Sequence, residues 1–202
     1  GMGAFGCVNN TIRLVSGHYL DLANPMPDQF EIDDIAGGLS RICRFGGQCP
    51  QFYSVAEHSI VCAEIALRDG LPREAVEAAL MHDASEAFVG DVVKPLKIMM
   101  PEYDRIEARI LKVIGERYDI DFERWRPQVK QIDRDVLIAE RNLLWPADGV
   151  QWTGESEVRT IDIRERVITN GLSAGRSSLP EYGYSPQIAE AVFLEWIRIV
   201  VI

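Results

Sequence analysis

The sequence contains few histidines and cysteines, and it has neither a long apolar run nor an excess of basic residues. Its four cysteines include no C-x-x-C pair and are too sparse for a disulfide scaffold. Reduced thiols are therefore expected, which predicts a cytoplasmic protein. No apolar run approaches the roughly 18 to 20 residues that a helix needs to cross a bilayer. The sequence therefore predicts no membrane partner.

The charge balance is acidic, with 31 Asp and Glu against 21 Lys and Arg and a net charge of -10. Phosphate backbones and anionic membranes select for basic surfaces, so binding to duplex nucleic acid is not expected. A small anionic substrate is compatible with this balance, because a local basic pocket can lie on an acidic protein. The length and the ordinary hydrophobic content predict one domain over residues 1–202.

Hydrophobic periodicity predicts a mainly α protein, a helical bundle with a small N-terminal β-hairpin. Alternation of apolar and polar residues over residues 11–22, around Ser16-Gly17, predicts the hairpin. Helices are predicted over residues 33–42, 54–69, 71–88, 101–118, 128–144 and 187–200. Residues 147–185 are predicted to be irregular, with a short helix over residues 161–169.

Local signals set several of these helix boundaries. Ser54 and Glu57 have the spacing of a capping box, in which each side chain bonds the backbone amide of the other residue. Gly90 is expected to end the helix over residues 71–88. Pro127 suits a first helical position and is expected to open the helix over residues 128–144.

Two of the three histidines, His58 and His82, fall in the best-defined helices, and Asp83 follows His82 directly. His82 and Glu86 are four residues apart, which places them on one face of a continuous helix. An imidazole nitrogen together with a carboxylate oxygen suits a divalent first-row metal ion. The pattern predicts a metal site with Glu86 beside it. The alternative is a core histidine next to a surface carboxylate.

With Asp133 on a later helix, these residues form an H…HD…D pattern that resembles the HD-domain metal-dependent phosphohydrolases. The stretch from Ser54 to Ser59 resembles that family's first-histidine helix. The stretch from His82 to Lys97 is similar to the corresponding part of bacterial 5'-deoxynucleotidases, and Lys130-Gln131-Ile132-Asp133 resembles the segment with the last ligand. The resemblance covers residues 34–145 and implies an HD-domain helical bundle.

The resemblance implies one divalent transition metal ion, with Mn, Co, Ni, Fe and Zn left open. Its implied ligands are His58, His82, Asp83 and Asp133. Asp135 competes with Asp133 for the last position, but it is expected to be a solvated helix carboxylate. Because no histidine follows Ala84, a second metal ion of the kind that recruits further histidines is not expected. His18 is expected on the surface of the hairpin.

The expected chemistry is attack of a metal-bound water on phosphorus, since the cation lowers the pKa of that water and offsets developing negative charge. Glu86 is the candidate for proton transfer. By resemblance, Asp91 helps to shape the nucleotide site, and the alternative is a turn-capping aspartate. Arg44 is the candidate phosphate clamp, and Lys97 a further substrate contact. Phe45 lies where the deoxynucleotidases have tryptophan, which predicts weaker selectivity against the 2'-hydroxyl.

The function expected from this resemblance is that of a phosphomonoesterase acting on nucleoside 5'-monophosphates. One alternative is hydrolysis of a cyclic or signalling nucleotide at the same metal site. Another is a non-catalytic module that binds nucleotides and keeps the metal for structural reasons. By resemblance, a homodimer is a plausible assembly.

Overall fold

A computed structural model describes residues 10–152, 154–164 and 182–201. This part of the chain is mainly helical, with one small antiparallel hairpin near its start, which confirms the predicted mainly α class. Strands β1 (Thr11–Arg13) and β2 (Tyr19–Asp21) form the hairpin, with Ile12 opposite Leu20.

The helices enclose a single hydrophobic core. In chain order they are α1 (Ile32–Arg41), α2 (Val55–Arg68), α3 (Arg73–Met81), α4 (Glu86–Val89), α5 (Lys94–Lys97), α6 (Pro101–Tyr118), α7 (Phe122–Leu144) and α8 (Pro186–Val200). Within the described residues, none of them combines the length and the apolar character that crossing a membrane requires.

Helix α2 is the centre of the bundle. Every residue from Val55 to Ala66 is buried, and the helix packs against α1, α3, α7 and α8. A helix buried on all sides must consist mainly of apolar and small residues, because a buried polar group without a partner is costly. The few polar side chains that α2 does bury, His58 among them, therefore need partners on the surrounding helices.

The start of α2 shows the Ser54 half of the predicted capping box. The Ser54 hydroxyl accepts a hydrogen bond from the Glu57 amide at 3.1 Å. The buried Glu57 carboxylate accepts hydrogen bonds from the amides of Gly183 and Tyr184, at 2.9 and 2.8 Å. Glu57 thus joins the start of α2 to the segment that precedes α8, a contact that the capping-box pattern does not predict.

The predicted helix over residues 71–88 is interrupted, which corrects the sequence analysis. Helix α3 ends at Met81, and residues 82–85 form turns in which the Glu86 amide donates to the Asp83 carbonyl at 2.9 Å. His82 and Glu86 therefore do not lie on one continuous helix. Helix α4 packs very closely on α1. A Cβ atom on Gly38 of α1 would lie only 2.8 Å from the Ala87 carbonyl oxygen of α4. Through this contact with α1, α4 takes a different direction from α3.

Helix α7 begins earlier than predicted, at Phe122, and Pro127 lies inside it. Asp121 caps the helix, and its side chain accepts a hydrogen bond from the Arg124 amide at 3.0 Å. Proline lacks an amide hydrogen and removes one helical hydrogen bond, so it more often opens a helix than continues one. Here the Asp121 cap and the packing of α7 against α2 and α3 outweigh that loss.

Residues 154–164 run beside α7 without forming the predicted helix. A short 3-10 helix covers Glu155–Glu157, and residues 161–164 are not helical. The remainder of the predicted helix over residues 161–169 lies outside the described residues. The segment is held by Asp135, which is fully buried and bonds the Arg159 side chain at 2.6 Å and its amide at 3.0 Å. The expectation that Asp135 is solvated is wrong.

Replacing Asp135 with alanine should therefore destabilise the fold without disturbing the predicted metal ligands. Removing it leaves the Arg159 amide without its acceptor, at a cost of about 1 to 3 kcal/mol in the free energy of unfolding. Urea denaturation measures this change, and metal content measured on the same preparation should equal that of the unaltered protein. Loss of bound metal in this variant would contradict the assignment of Asp133 over Asp135.

Candidate metal centre

Three parts of the bundle bring together the four residues that the sequence predicts as metal ligands. His58 comes from α2, His82 and Asp83 follow α3, and Asp133 comes from α7. His58 Nε2 lies 3.1 Å from Asp133 Oδ1 and 3.6 Å from Asp83 Oδ2. His82 Nε2 lies 3.1 Å from Asp83 Oδ2 and 4.0 Å from Asp133 Oδ1. Atoms bound to one ion at about 2.1 Å each lie within about 4.2 Å of one another. All four separations meet this limit.

Both histidines are oriented by an acceptor at Nδ1. His58 Nδ1 lies 2.8 Å from Glu140 Oε1, and His82 Nδ1 lies 2.7 Å from the Ala79 carbonyl oxygen. Burial opposes charge on these rings, but the neighbouring acidic groups raise the pKa of both histidines, so each ring holds a second proton on Nε2 that a bound metal ion would replace. His82 Nε2 is buried, and although Asp83 Oδ2 lies 3.1 Å away, this nitrogen has no well-aligned hydrogen bond among the described residues. A buried nitrogen that faces a carboxylate without such a bond fits a metal ligand.

Cys62 lies at the same place and was not among the predicted ligands. Its Sγ is 3.6 Å from His58 Nε2, and His58, Cys62 and His82 form a cluster that could hold a metal ion. Burial raises the pKa of the Cys62 thiol to about 11, so the thiol holds its proton at neutral pH. The signal in the sequence was its position four residues after His58, which puts both side chains on one face of α2.

The two aspartates carry the negative charge of the centre. Burial alone would raise the pKa of Asp83, but His82, His58 and Arg44 together hold it well below its ordinary value. The pKa of Asp133 also lies below its ordinary value, because its hydrogen bond to His58 and the charge of that ring outweigh burial. Both side chains are therefore ionised at neutral pH and available as oxygen ligands.

Glu86 and Asp91, the predicted catalytic carboxyls, lie beside this centre. Glu86 is 6% exposed, and its Oε2 has no hydrogen-bond partner in the described part of the chain. Burial, together with the charges of Asp83 and Asp91, raises the pKa of Glu86 well above its ordinary value. Asp91 follows Gly90, which ends α4 with φ +84°, and burial raises the pKa of Asp91 as well.

Arg44 is buried next to the centre, with 8% of its surface exposed. One guanidinium nitrogen lies 3.0 Å from Glu140 Oε2, whereas Nε has no hydrogen-bond partner among the described residues. Burial opposes the charge of Arg44, but Glu140, Asp91 and Asp83 hold its pKa above the ordinary value. Glu140, itself fully buried, thus bridges Arg44 and His58. The sequence analysis did not predict this role.

Phe45 follows Arg44 with a left-handed backbone, φ 59°, which is uncommon for a bulky residue and occurs mainly in turns and strained functional loops. Its ring lies 5.2 Å from the Arg44 guanidinium carbon. It also packs edge-on against Trp145 at 4.9 Å and lies 6.4 Å from Trp152. The sequence analysis did not predict these two tryptophans next to the site.

Lys97, the remaining predicted substrate contact, lies on α5 and forms an ion pair with Glu107 of α6. Its ammonium group also lies 5.5 Å from the centre of the Tyr103 ring. Lys97 therefore already has a carboxylate partner within the protein. Contact between Lys97 and a substrate stays a prediction.

The fold and the site define a mainly helical protein with a buried candidate metal-binding cluster at the centre of its bundle. The chain is 40% identical over 141 residues to the uncharacterized protein YfdR of Escherichia coli strain K12. This alignment covers 70% of the chain and 76% of YfdR. It therefore belongs to the same protein family as YfdR.

A second relative, an uncharacterized protein of Rhodobacter capsulatus, is 37% identical over 113 residues. That alignment covers 54% of this chain and 58% of the relative. No protein-family model matches the chain. The names of the two relatives state no activity.

Proposed function

We propose that this protein is a metal-dependent phosphomonoesterase of the HD-domain type that hydrolyses nucleoside 5'-monophosphates to nucleoside and phosphate. The observation that carries the proposal is that two imidazole nitrogens each lie within 4.0 Å of the same two carboxylate oxygens. These atoms come from segments far apart in the sequence, and each imidazole is oriented by an acceptor at its Nδ1. Such orientation is typical of metal-binding histidines.

The ligands of the proposed centre are His58, His82, Asp83 and Asp133. Two nitrogens and two carboxylate oxygens suit Mn, Fe, Co, Ni or Zn. A bound ion of this kind lowers the pKa of water and offsets negative charge that develops on a phosphoryl group. Cys62 lies beside the centre, with its Sγ 3.6 Å from His58 Nε2, and could serve as a further ligand, because a metal ion deprotonates a thiol that binds it.

The surroundings of Arg44 support the proposal that the substrate carries a phosphate group. Its Nε–H is buried without a partner among the described residues, although an unpaired buried donor is costly. A phosphate oxygen would satisfy this donor, and the planar guanidinium binds phosphate through paired hydrogen bonds. Glu140 holds the other side of the guanidinium at 3.0 Å, so the arginine is oriented before substrate arrives.

Glu86 is suited to supply a proton to the leaving group. Departure of the 5'-oxygen from phosphorus produces an alkoxide, which must be protonated to leave as the nucleoside alcohol. Because burial and the neighbouring carboxylates raise the pKa of Glu86, this side chain keeps its proton to higher pH than an ordinary glutamic acid does. Water supplies the hydroxyl group that remains on phosphorus, and its other proton restores the Glu86 carboxyl, so atoms and charge balance.

A screen of metal ions against substrates tests the proposed activity. Purified protein supplied with Mn, Co, Ni or Zn should release phosphate from nucleoside 5'-monophosphates, and a chelator should abolish the release. Cyclic and pyrophosphorylated nucleotides serve as comparison substrates. Inactivity on every monophosphate together with turnover of one of these nucleotides would replace the proposed substrate, and inactivity on all of them with metal bound would refute the proposal.

Replacing Arg44 with alanine should raise KM for the nucleotide if the phosphate contact is equally strong in the ground and transition states. It should lower kcat if the contact strengthens during the reaction. Arg44→Lys keeps the positive charge but loses the forked geometry, so it separates the contribution of the charge from that of the paired hydrogen bonds. Steady-state kinetics give both constants, and an unchanged kcat/KM in the alanine variant would exclude Arg44 from phosphate binding.

Phe45 should give weak selectivity between deoxyribo- and ribonucleotides. Its ring is smaller than an indole and packs against Trp145, so it is not expected to crowd a 2'-hydroxyl as the tryptophan of the similar deoxynucleotidases does. The ratio of kcat/KM for dAMP and AMP measures this selectivity. A ratio beyond about 1000-fold, which corresponds to about 4 kcal/mol, would contradict the argument.

A further inference from the structure

Cys43 and Cys49 enclose the loop that carries Arg44 and Phe45. Their sulfur atoms lie 3.5 Å apart, and both side chains are partly exposed. A disulfide bond requires about 2.05 Å between the sulfurs, so they need to approach by only about 1.5 Å. Cys62, the other cysteine that the structure describes, is buried beside His58.

The two ends of this loop, residues 43–49, are held differently. Cys43 forms a β-bridge with Ser54, and the Arg44 amide donates to the Tyr53 carbonyl at 2.8 Å, so this end is fixed to the start of α2. The Cys49 thiol donates to the Gln51 carbonyl at 3.0 Å. Between the two ends, the outer residues 46–48 are exposed. A small disulfide can therefore approach the loop from solvent.

We propose that Cys43 and Cys49 are a thiol–disulfide modification site, and that a disulfide between them tightens the Arg44 loop and weakens its use in the active site. The oxidant is a low-molecular-weight disulfide such as oxidised glutathione. The loss of activity rests on the proposed function, whereas formation of the disulfide does not.

The exchange proceeds in two balanced steps. The Cys43 thiolate attacks one sulfur of the small disulfide, forms a mixed disulfide and expels one small thiolate. Cys49, after losing its proton to solvent, attacks Cys43 Sγ and expels the second thiolate, and both thiolates take up protons. The two protein thiols are oxidised by two electrons, and the small disulfide is reduced to two thiols.

The rate of this reaction should depend on pH. Burial and a hydrogen bond with Cys43 raise the pKa of the Cys49 thiol to about 11. Only the thiolate attacks, so ring closure is slow at neutral pH and should accelerate as pH rises toward that pKa. The pair is therefore expected to respond to sustained oxidation and not to brief exposure.

Oxidation should alter the Arg44 loop, because the disulfide closes a short ring around it. The loop is a tight turn, because three consecutive residues have positive φ values: 59° at Phe45, 61° at Gly46 and 74° at Gly47. A displacement near 1 Å in a substrate-binding group can reduce turnover about 10- to 100-fold. Since the Phe45 ring packs against Trp145, movement of the loop should also change tryptophan emission.

The test equilibrates the folded protein with reduced and oxidised glutathione, blocks free thiols and maps the cysteines by mass spectrometry. We expect one Cys43–Cys49 link, its removal by a reductant, and its absence in Cys43→Ser and in Cys49→Ser. Cys62→Ser, used for mapping alone, should keep the link. Thiols that stay reduced, or that carry separate glutathione adducts, would overturn the proposal.

Two readouts then follow the consequence of the link. Tryptophan emission should differ between the oxidised and reduced protein and should stay constant under oxidation in Cys49→Ser. Phosphate release should fall about 10- to 100-fold on oxidation and return on reduction. Unchanged emission or unchanged kcat/KM in the linked protein would overturn the effect on the loop. If neither form releases phosphate, the proposed function fails, and the mapped link and the emission change decide the modification site separately.

Discussion

Replacing Glu86 with alanine should lower kcat by about 100- to 10,000-fold while the protein retains its metal ion. This range is the usual contribution of a positioned proton-transfer group. Glu86 is buried, its Oε2 has no partner among the described residues, and burial with neighbouring carboxylates raises its pKa. In the proposed site it lies beside the candidate ligands and is not one of them. Metal analysis and steady-state kinetics on the same preparation check the two halves of the expectation.

Two further variants make this result specific. Glu86→Gln keeps the size of the side chain but cannot transfer the proton, so it should lose about as much activity as the alanine variant. Glu74→Ala removes an exposed glutamate of α3 and should leave both kcat and metal content unchanged. If Glu86→Ala strips the metal ion, Glu86 is a ligand, and the assignment of roles is wrong.

Replacing His82 with alanine should abolish metal binding and activity together. His82 Nε2 is one of two imidazole nitrogens in the centre, and its Nδ1 is fixed by the Ala79 carbonyl at 2.7 Å. Without this ligand, Asp83 and Asp133 keep their charges but lose the imidazole that compensates them. Metal content after dialysis against Mn or Co, followed by a phosphate-release assay, measures both losses.

The chain supplies a control for this experiment. His18 is the only histidine outside the predicted ligand set, and it is exposed in the hairpin. His18→Ala should therefore retain full metal content and activity. Equal loss in the His18 and His82 variants would indicate a general effect of removing histidine, and metal retention in His82→Ala would remove His82 from the centre.

Glu140 links the two halves of the proposed site. Its Oε1 lies 2.8 Å from His58 Nδ1, and its Oε2 lies 3.0 Å from the Arg44 guanidinium. One buried carboxylate therefore orients both a metal ligand and the candidate phosphate clamp. The charges of Arg44 and His58 hold the pKa of Glu140 below its ordinary value despite complete burial. Through this shared contact, Glu140 positions His58 and Arg44 relative to each other.

The local sequence signals predicted most of the helical framework. The bounds of α6, Pro101–Tyr118, agree with the prediction, and Ser54 caps α2 as expected. These features depend on residues within one or two helical turns, so they can be read from the sequence. The errors occurred where tertiary contacts compete with local preference, at the turns of residues 82–85 and at the start of α7.

The candidate ligands could also be chosen from the sequence, since His58, His82-Asp83 and Asp133 follow a spacing that resembles a known pattern. Their partners could not. Glu140 is 82 residues from His58, and Trp145 meets Phe45 across a similar distance in the chain. Contacts of this kind depend on how the helices pack, and hydrophobic periodicity gives the buried face of a helix without giving its neighbour.

The sequence by itself thus determined the helical class, the hairpin and the residue types of a candidate metal centre, because composition, capping and periodicity are local properties. The tertiary structure alone decided which atoms come together. It placed Cys62 beside His58, left His82 Nε2 without a well-aligned hydrogen bond in the described part of the chain and buried Arg44 against Glu140. The physical reason is that side-chain direction and burial follow from the packing of α2 against its neighbouring helices, which no single segment specifies.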